Sequence, residues 1–419
     1  MIRPALKLSN FYVKSTIFTV LSVAGAVFNY ALYPVIAHVL NSSKFGDFTA
    51  ILALSNQILG IMLTFNLVSI YFVKNFPEEE ALHHAQTVQK LLAWFFLAAT
   101  ILTISLSPLL KSVLNIHSLY SFVILAIILL SSIPVIVWTG YLQGNKMLIT
   151  VGLFNFTASL VKFIMAIIFA IWFGPTGGLF GVVIGTLAGL VILHHSAHIK
   201  LPEVRSIFAK FTREERKFLH NIKFYVLGAI FIVGGLSFLQ NIDITYAKVL
   251  FSPNVAGVYS GVSILSNAIY YACFLLVWII LPEINPYNQK VNRRILKTGY
   301  KLIALIGVAS FAVEYLFREK LTSTLLGSKF QGQGNIFVYA TLFQISLVAT
   351  TLLAYYLLIM RKSRVIILGA LVILPCFILP FILAHNTRDM ILTLFTSVAS
   401  GTILFTIANV IFNTYRKQA

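Results

Sequence analysis

Long apolar segments recur along the whole chain and constrain its fold more than any other feature. Most are about 20–28 residues long, the length that a helix needs to cross the hydrocarbon core of a bilayer. We predict twelve such spans, at residues 15–40, 46–73, 91–110, 119–142, 148–173, 179–194, 224–250, 256–281, 295–317, 336–360, 365–384 and 391–412. This pattern predicts an all-α polytopic membrane protein with about twelve transmembrane helices.

The composition agrees with this prediction. Of the 419 residues, 59% are hydrophobic and only 10% are charged, whereas soluble domains carry about 25% charged residues. The first apolar run is too long for a signal-peptide core, so we interpret it as a retained span. Cys273 and Cys376 both fall in apolar segments and are interpreted as inert packing residues. No cofactor, metal site or nucleic-acid partner is predicted.

A short pattern occurs twice, half a chain length apart. AHVL at 37–40 matches AKVL at 247–250 with an offset of 210 residues, and FGDF at 45–48 matches AGVY at 256–259 with an offset of 211. Such a match indicates a duplicated bundle. We therefore predict two six-helix lobes, at residues 1–195 and 224–419, which are parallel repeats around a central cavity. A basic cytoplasmic linker at residues 196–223 joins them, and Thr212 with Glu215 forms a predicted capping box there.

Basic residues predict the orientation in the membrane. With the N-terminus inside, the inner segments hold 23 of the 31 Lys and Arg residues and the outer segments hold seven. This bias places both termini in the cytoplasm of a bacterial or archaeal cell. Of the 31 basic residues, Lys162 alone is predicted to lie in the middle of a span.

Polar residues within the spans are candidates for a binding site, because an unpaired polar group is costly in lipid. They form stripes on spans one, two, seven and eight, which are paired by the duplication. The candidates for substrate binding are Asn29, Asn56, Gln240, Asn241, Asn267 and Tyr270. Matched stripes favour a hydrated cavity between the lobes, and for any single residue the alternative is helix–helix adhesion.

Charged residues within or near the spans carry more weight. Lys162 lies near the middle of span five, and Asp243 lies in the outer half of span seven. His38 and Lys248 occupy the same repeat position at the outer ends of spans one and seven. The alternatives to a functional role are a structural ion pair, snorkelling or interfacial anchoring. Glu314 is predicted to be interfacial. No catalytic motif occurs, so an enzyme is not predicted.

Several motifs together resemble a known family, the O-antigen and capsule type polysaccharide-unit flippases of the multidrug/oligosaccharidyl-lipid/polysaccharide exporter superfamily. They are IAHVL at 36–40 with FGDF at 45–48, YLQGNK at 141–146, LVKF at 160–163, the stretch from Phe173 to Gly181, Asp243 ahead of AGVY at 256–259, and PE at 282–283. The resemblance implies two lobes that alternate between inward-open and outward-open states. The implied cargo is an oligosaccharide on a polyprenyl diphosphate, carried to the outer face of the cell membrane.

The resemblance and the residues together give each candidate a role. Lys162, His38 and Lys248 would meet the diphosphate, the amide and tyrosine residues would meet the sugars, and the prenyl tail would stay among membrane lipids. Asp243 would carry the coupling ion, a proton or sodium. One alternative is a cation-coupled drug exporter of the same superfamily. An alternative of another class is a polysaccharide polymerase or ligase of the membrane.

Overall fold

The computed structural model describes residues 3–197, 209–280, 284, 289–360 and 365–418. In these ranges all regular structure is helical, as predicted. The helices are α1 (Arg3–Val39), α2 (Ser42–Asn75), α3 (Glu78–Ser105), α4 (Ser107–Val113), α5 (Tyr120–Gly144), α6 (Leu148–Ala197), α7 (Arg213–Ala229), α8 (Gly235–Leu239), α9 (Ile242–Leu250), α10 (Pro253–Ile280), α11 (Gln289–Leu326), α12 (Gly334–Ile359), α13 (Val365–Leu383) and α14 (Thr387–Gln418). A π-helical turn (Ile230–Gly234) precedes α8, and a 3-10 turn (Ser328–Phe330) precedes α12.

The helices follow the predicted spans along the chain. In the described part of the chain, eight helices are long and apolar enough to cross a membrane, and a bent helix pair is a ninth candidate. Helix α6 is one of the eight although it folds back at Gly174 into two spans, and α2 and α10, with 34 and 28 residues, coincide with two further predicted spans. Many apolar side chains are exposed, such as Trp172 and Leu316, as lipid-facing residues would be.

The chain divides into two compact units, unit 1 (Met1–Val226) and unit 2 (Leu227–Ala419). In unit 1, α1 packs along α6, α2 packs along α5, and α5 also contacts α3 and α6. In unit 2, α10 and α14 both pack against α12, and α13 packs against α14. Predicted spans one to six lie in unit 1, and spans seven to twelve lie in unit 2 apart from the first three residues of span seven.

The fold of α6 depends on two glycines. Gly174 has φ 65° and ψ −148°, a conformation that strains any residue with a Cβ, and it lies in the predicted connection between spans five and six. Gly185, on the second half of α6, lies so close to the first half that an added Cβ would come within 2.4 Å of the Lys162 Cβ. Small residues at such positions allow two helices in a membrane to approach closely.

Span seven differs from its prediction, because the predicted continuous helix is broken. The segment Ile230–Leu239 and the segment Ile242–Leu250 are bent by 55° relative to each other. Gly234 and Gly235 weaken the helix before the break. Asn241 lies at the break with φ −124° and ψ 16°, and its side chain can compete for backbone hydrogen bonds.

The predicted capping box at the start of α7 is confirmed. The Thr212 amide donates to Glu215 Oε2 at 2.6 Å, and the Glu215 amide donates to Thr212 Oγ1 at 3.2 Å. Glu215 also accepts from the buried Lys90 of α3, at 3.2 Å. The start of α7 is thereby attached to α3 within unit 1. Residues 198–208 of the predicted linker lie outside the described residues.

Candidate functional site

In unit 1 the structure brings together two of the predicted site residues, Lys162 of α6 and Asn29 of α1. The Lys162 ammonium donates a hydrogen bond to Asn29 Oδ1. Within the described residues Lys162 forms no ion pair with a carboxylate. In the described part of the chain, the hydrogen-bond partner of this ammonium group within the apolar helix α6 is therefore an amide oxygen and not a carboxylate.

The surroundings of this pair are apolar and aromatic. The ring of Phe28, which precedes Asn29, lies 5.6 Å from the ring of Phe163 and 6.1 Å from that of Phe156. The close approach at Gly185 fixes the backbone of α6 behind Lys162. Lys162 and Asn29 are both half-buried, so part of the ammonium group stays accessible to a ligand. An ammonium beside apolar side chains can attract an anion, because low dielectric strengthens its field.

In unit 2 a carboxylate lies just after the break in span seven. Asp243 is fully buried in the first turn of α9. Its Oδ2 accepts from Tyr259 Oη at 2.9 Å and from Ser263 Oγ at 2.5 Å, and both donors lie on α10. Broken helices line the substrate and ion sites of many transporters.

Amide side chains surround the same break. Asn267 Nδ2 donates to Asn241 Oδ1, and Gln344 Nε2 of α12 donates to the Gln240 carbonyl, both at 3.2 Å. Three further buried atoms, Asp243 Oδ1, Gln240 Nε2 and Gln344 Oε1, have no hydrogen-bond partner in the described part of the chain. Buried polar atoms are normally satisfied, so this cluster has the capacity to bind a cation, a proton or water.

The other predicted site residues lie in different surroundings. Tyr270 is buried, with its ring stacked on Phe274 at 5.4 Å, so aromatic packing occupies one of its faces. Asn56 is half-buried on α2. His38 and Lys248 share a repeat position but not an environment. His38 is exposed, with Nδ1 2.8 Å from the Pro34 carbonyl oxygen, whereas Lys248 is fully buried.

Two residues of unit 2 escaped the sequence prediction. Glu314, predicted to be interfacial, is buried and accepts a hydrogen bond from Thr341. The predicted end of its span at residue 317 coincides with a kink in α11, where Phe317 has non-helical dihedral angles (φ −114°, ψ 15°), and the sequence did not reveal that Thr341 covers the acid. Gln344 was missed because a single amide in an apolar span resembles a packing residue. A sequence signal for Gln344 did exist, because it follows Thr341 by one helical turn and the two polar residues therefore share a helix face.

A polar cleft lies outside the apolar segments of unit 1, between the starts of α3 and α7. Its volume is about 370 Å³. Its lining combines acidic, imidazole and aromatic side chains: Glu79, Glu80, His83, His84, Glu214, Glu215 and Phe218. Among the described residues no cluster has the geometry of a metal site. The cleft borders the Lys90–Glu215 pair and belongs to the attachment of α7.

Comparison with known proteins shows what fold these helices make. No family model and no curated protein matches the chain. An inward-facing multidrug resistance MATE family transporter of the MOP superfamily matches with a TM-score of 0.71 and 12% identity, over 96% of this chain and 99% of that chain. The chain has the fold of these transporters.

Two further solved structures share this fold. The lipid II flippase MurJ, in an inward closed conformation, matches with a TM-score of 0.69 and 12% identity, over 93% of this chain and 87% of that chain. An outward-facing MATE family transporter of the MOP superfamily matches with a TM-score of 0.58 and 14% identity, over 96% of this chain and 93% of that chain. One fold thus carries drug transporters and a lipid flippase.

Proposed function

We propose that this chain is a flippase that carries a polyprenyl-diphosphate-linked oligosaccharide from the inner to the outer face of the cell membrane by alternating access, for the synthesis of a surface polysaccharide such as O-antigen or capsule. The observation that carries the proposal is the Lys162–Asn29 pair, in which a cation on a predicted span has an amide partner and, among the described residues, no carboxylate partner. A charge in such a place is costly unless it meets an opposite charge. A diphosphate supplies that charge only while substrate is bound.

The size of the attraction supports a diphosphate over a neutral ligand. An ammonium and a phosphate oxygen about 4 Å apart attract each other by about 4 kcal/mol at an effective dielectric constant of about 20. Asn29 holds the ammonium in the absence of substrate. The half-buried Asn56 and the amides near the break in span seven suit sugar hydroxyls, which both donate and accept hydrogen bonds.

Coupling to an ion gradient belongs to unit 2 in this proposal. Asp243 binds the coupling ion, a proton or sodium, with Tyr259 and Ser263 as its hydroxyl partners. The break in span seven lets the polar backbone near Asp243 face this site, whereas an unbroken helix would hide it.

A second candidate function is the export of cationic drugs. The buried Asp243 favours it, because a carboxylate attracts a cation and aromatic residues such as Tyr259 and Tyr270 suit a flat cationic ring. The shared fold with the MATE structures agrees equally well with this function. No observation in the described ranges favours a polymerase or ligase.

Transport by the purified protein in proteoliposomes distinguishes the flippase from the drug exporter. One probe is a fluorescent polyprenyl-diphosphate monosaccharide, the second is the same lipid without its phosphates, and the third is a cationic dye. We expect the diphosphate lipid alone to move and to be competed by unlabelled lipid diphosphate. Movement of the dye without the lipid diphosphate would establish the drug exporter instead.

Labelling of single cysteines tests the proposed orientation, with both termini inside. Cysteines at Asn41, Ser252 and Asn386 should react with an impermeant reagent in whole cells, and one at Ser206 should react only after permeabilisation. The native Cys273 and Cys376 are buried, so their background is low. Labelling of the Ser206 position from outside would refute the orientation.

A further inference from the structure

Glu314 is a buried acid for which the proposed function has no use. It lies on α11 with about 5% of its surface exposed. Its neighbours Val313, Leu316 and Phe317 are exposed apolar side chains, as lipid-facing residues would be. Glu314 therefore lies within the apolar part of its helix and is turned toward the protein.

Among the residues that the structure describes, one hydrogen-bond donor reaches this carboxyl group. Thr341 Oγ1, on the neighbouring helix α12, donates to Glu314 Oε2. A buried ionised carboxylate normally requires a cation or several donors. One hydroxyl group is instead well suited to both forms of the acid, since a hydroxyl can donate to a carboxylate and accept from a carboxylic acid.

Charged groups on the elements that pack against α11 are engaged elsewhere. The Arg318 guanidinium lies over the Tyr315 ring at 5.2 Å, and Glu319 accepts from the Gly332 amide at 3.0 Å. On the other packed elements, Tyr259 of α10 donates to Asp243, and the ring of Tyr339 of α12 lies 5.5 Å from the Arg388 guanidinium. The remaining titratable groups there are Lys329 of the 3-10 turn, Tyr270, Tyr271 and Cys273 of α10, and Tyr355 and Tyr356 of α12. Among the described residues none of these forms an ion pair with Glu314.

Helix α12 connects this acid to the break in span seven. Thr341, which holds Glu314, and Gln344, which holds the Gln240 carbonyl, are three residues apart and so lie on neighbouring turns of one helix face. A change of donor and acceptor at Thr341 would act on the helix that stabilises the break beside Asp243.

We infer that Glu314 is a second proton-binding carboxyl group of unit 2, which exchanges a proton with water near Arg318 and communicates with Asp243 through the Thr341–Gln344 face of α12. The inference rests on the proposed ion-coupled transport and adds a site to it. On protonation Glu314 becomes a donor, Thr341 becomes its acceptor, and the proton comes from water near Arg318. Arg318 is half-buried and follows Glu314 by four residues, directly after the kink in α11 at Phe317.

Infrared difference spectroscopy of the purified protein tests proton binding without any substrate. Spectra recorded between about pH 5 and about pH 9 should show a carboxylic-acid carbonyl band that appears on acidification. The band should be lost in Glu314→Gln and remain in Glu319→Gln, a control acid on the same helix. If Glu314→Gln does not fold, Glu314→Asp should shift the band. An unchanged band in these variants would overturn the inference.

Transport measurements provide the second readout. In proteoliposomes, Glu314→Gln should lose the stimulation by a proton gradient, Glu314→Asp should regain part of it, and Glu319→Gln should keep it. Full stimulation of Glu314→Gln would also overturn the inference. If the wild-type protein moves no lipid-linked sugar, the proposed function fails, whereas the infrared band still decides whether Glu314 exchanges a proton.

Discussion

In unit 1 the ring of Tyr33 meets the ring of Phe48, and in unit 2 the carboxylate of Asp243 meets the hydroxyl of Tyr259. The offsets of 210 and 211 residues make these corresponding pairs. The Tyr33 and Phe48 ring centroids are 6.4 Å apart at 61°, and Tyr259 Oη lies 2.9 Å from Asp243 Oδ2. The predicted repeat positions thus share a contact between two helices, which is aromatic in unit 1 and acidic in unit 2.

The backbone of these corresponding segments also differs between the two units. Helix α1 of unit 1 continues through Pro34 to Val39, whereas the corresponding segment of unit 2 is bent by 55° at residues 240–241. The membrane-embedded Lys162 lies in unit 1, and the acids Asp243 and Glu314 lie in unit 2. Our proposal accordingly assigns anion binding to unit 1 and ion coupling to unit 2.

Lys162→Ala should have the largest effect on transport, because it removes the proposed anion-binding group of unit 1. Removing the ammonium should lower lipid-diphosphate transport roughly 100-fold, which corresponds to about 3 kcal/mol for a charged hydrogen-bonding group. Lys162→Arg keeps the charge and should retain more activity, and Lys44→Ala, at an exposed lysine, should have no effect. The rates are measured in proteoliposomes at equal protein content. Normal transport by Lys162→Ala would make the residue structural.

Asp243→Asn should abolish the coupling of transport to an ion gradient, and its effect on the transport rate should be smaller than that of Lys162→Ala. The amide keeps the shape but does not titrate, so gradient-driven transport should fall to the rate without a gradient while substrate binding and thermal stability persist. Gradient-driven flux and the binding of lipid diphosphate are measured separately. Full gradient-driven transport by Asp243→Asn, or its failure to fold, would reject the coupling role.

The sequence predicts those features of the two units that depend on local patterns. The lengths of the apolar segments predict the spans. Gly174 and Pro175 predict the turn within α6, and Thr212 with Glu215 predicts where α7 begins. The burial of Glu314 and Lys248, by contrast, depends on which neighbouring helix covers them, and no local pattern encodes that. The Gln240 carbonyl at the break accepts a hydrogen bond from Gln344, which lies 104 positions later in the chain, and no local pattern predicts that contact.

Acidification should destabilise the attachment of α7 to α3 near the end of unit 1, because this attachment depends on the charge of Glu215. Burial alone would raise the pKa of Glu215, but the Thr212 amide and the Lys90 ammonium together hold it below its ordinary value of 4.5. The charged form is therefore favoured by folding, and its contribution is complete above pH 4.5 and is lost as the pH falls through the lower folded pKa. We expect a loss of about 1–2 kcal/mol there.

Thermal unfolding in detergent, recorded from neutral pH down to below the ordinary pKa of Glu215, measures this loss. The midpoint of the wild-type protein should fall more steeply with acidification than that of Glu215→Gln. Glu214→Gln, at the exposed neighbouring acid, should follow the wild type. Equal slopes for the wild type and Glu215→Gln would mean that the Lys90–Glu215 pair contributes nothing.

Tyr259→Phe is the smallest expected change and the most direct test of the comparison, because it gives unit 2 the residue that unit 1 has at Phe48. Asp243 keeps its bond from Ser263, so the variant should fold and lose about 1 kcal/mol. In a double-mutant cycle with Asp243→Asn, the two changes should show an interaction energy of about 0.5–3 kcal/mol. The reverse change, Phe48→Tyr, places a hydroxyl beside Tyr33 with no carboxylate opposite, and it should not stabilise unit 1. If the cycle gives no interaction energy, Tyr259 only packs against Asp243, and the two copies differ in one acid rather than in a hydrogen-bonded pair.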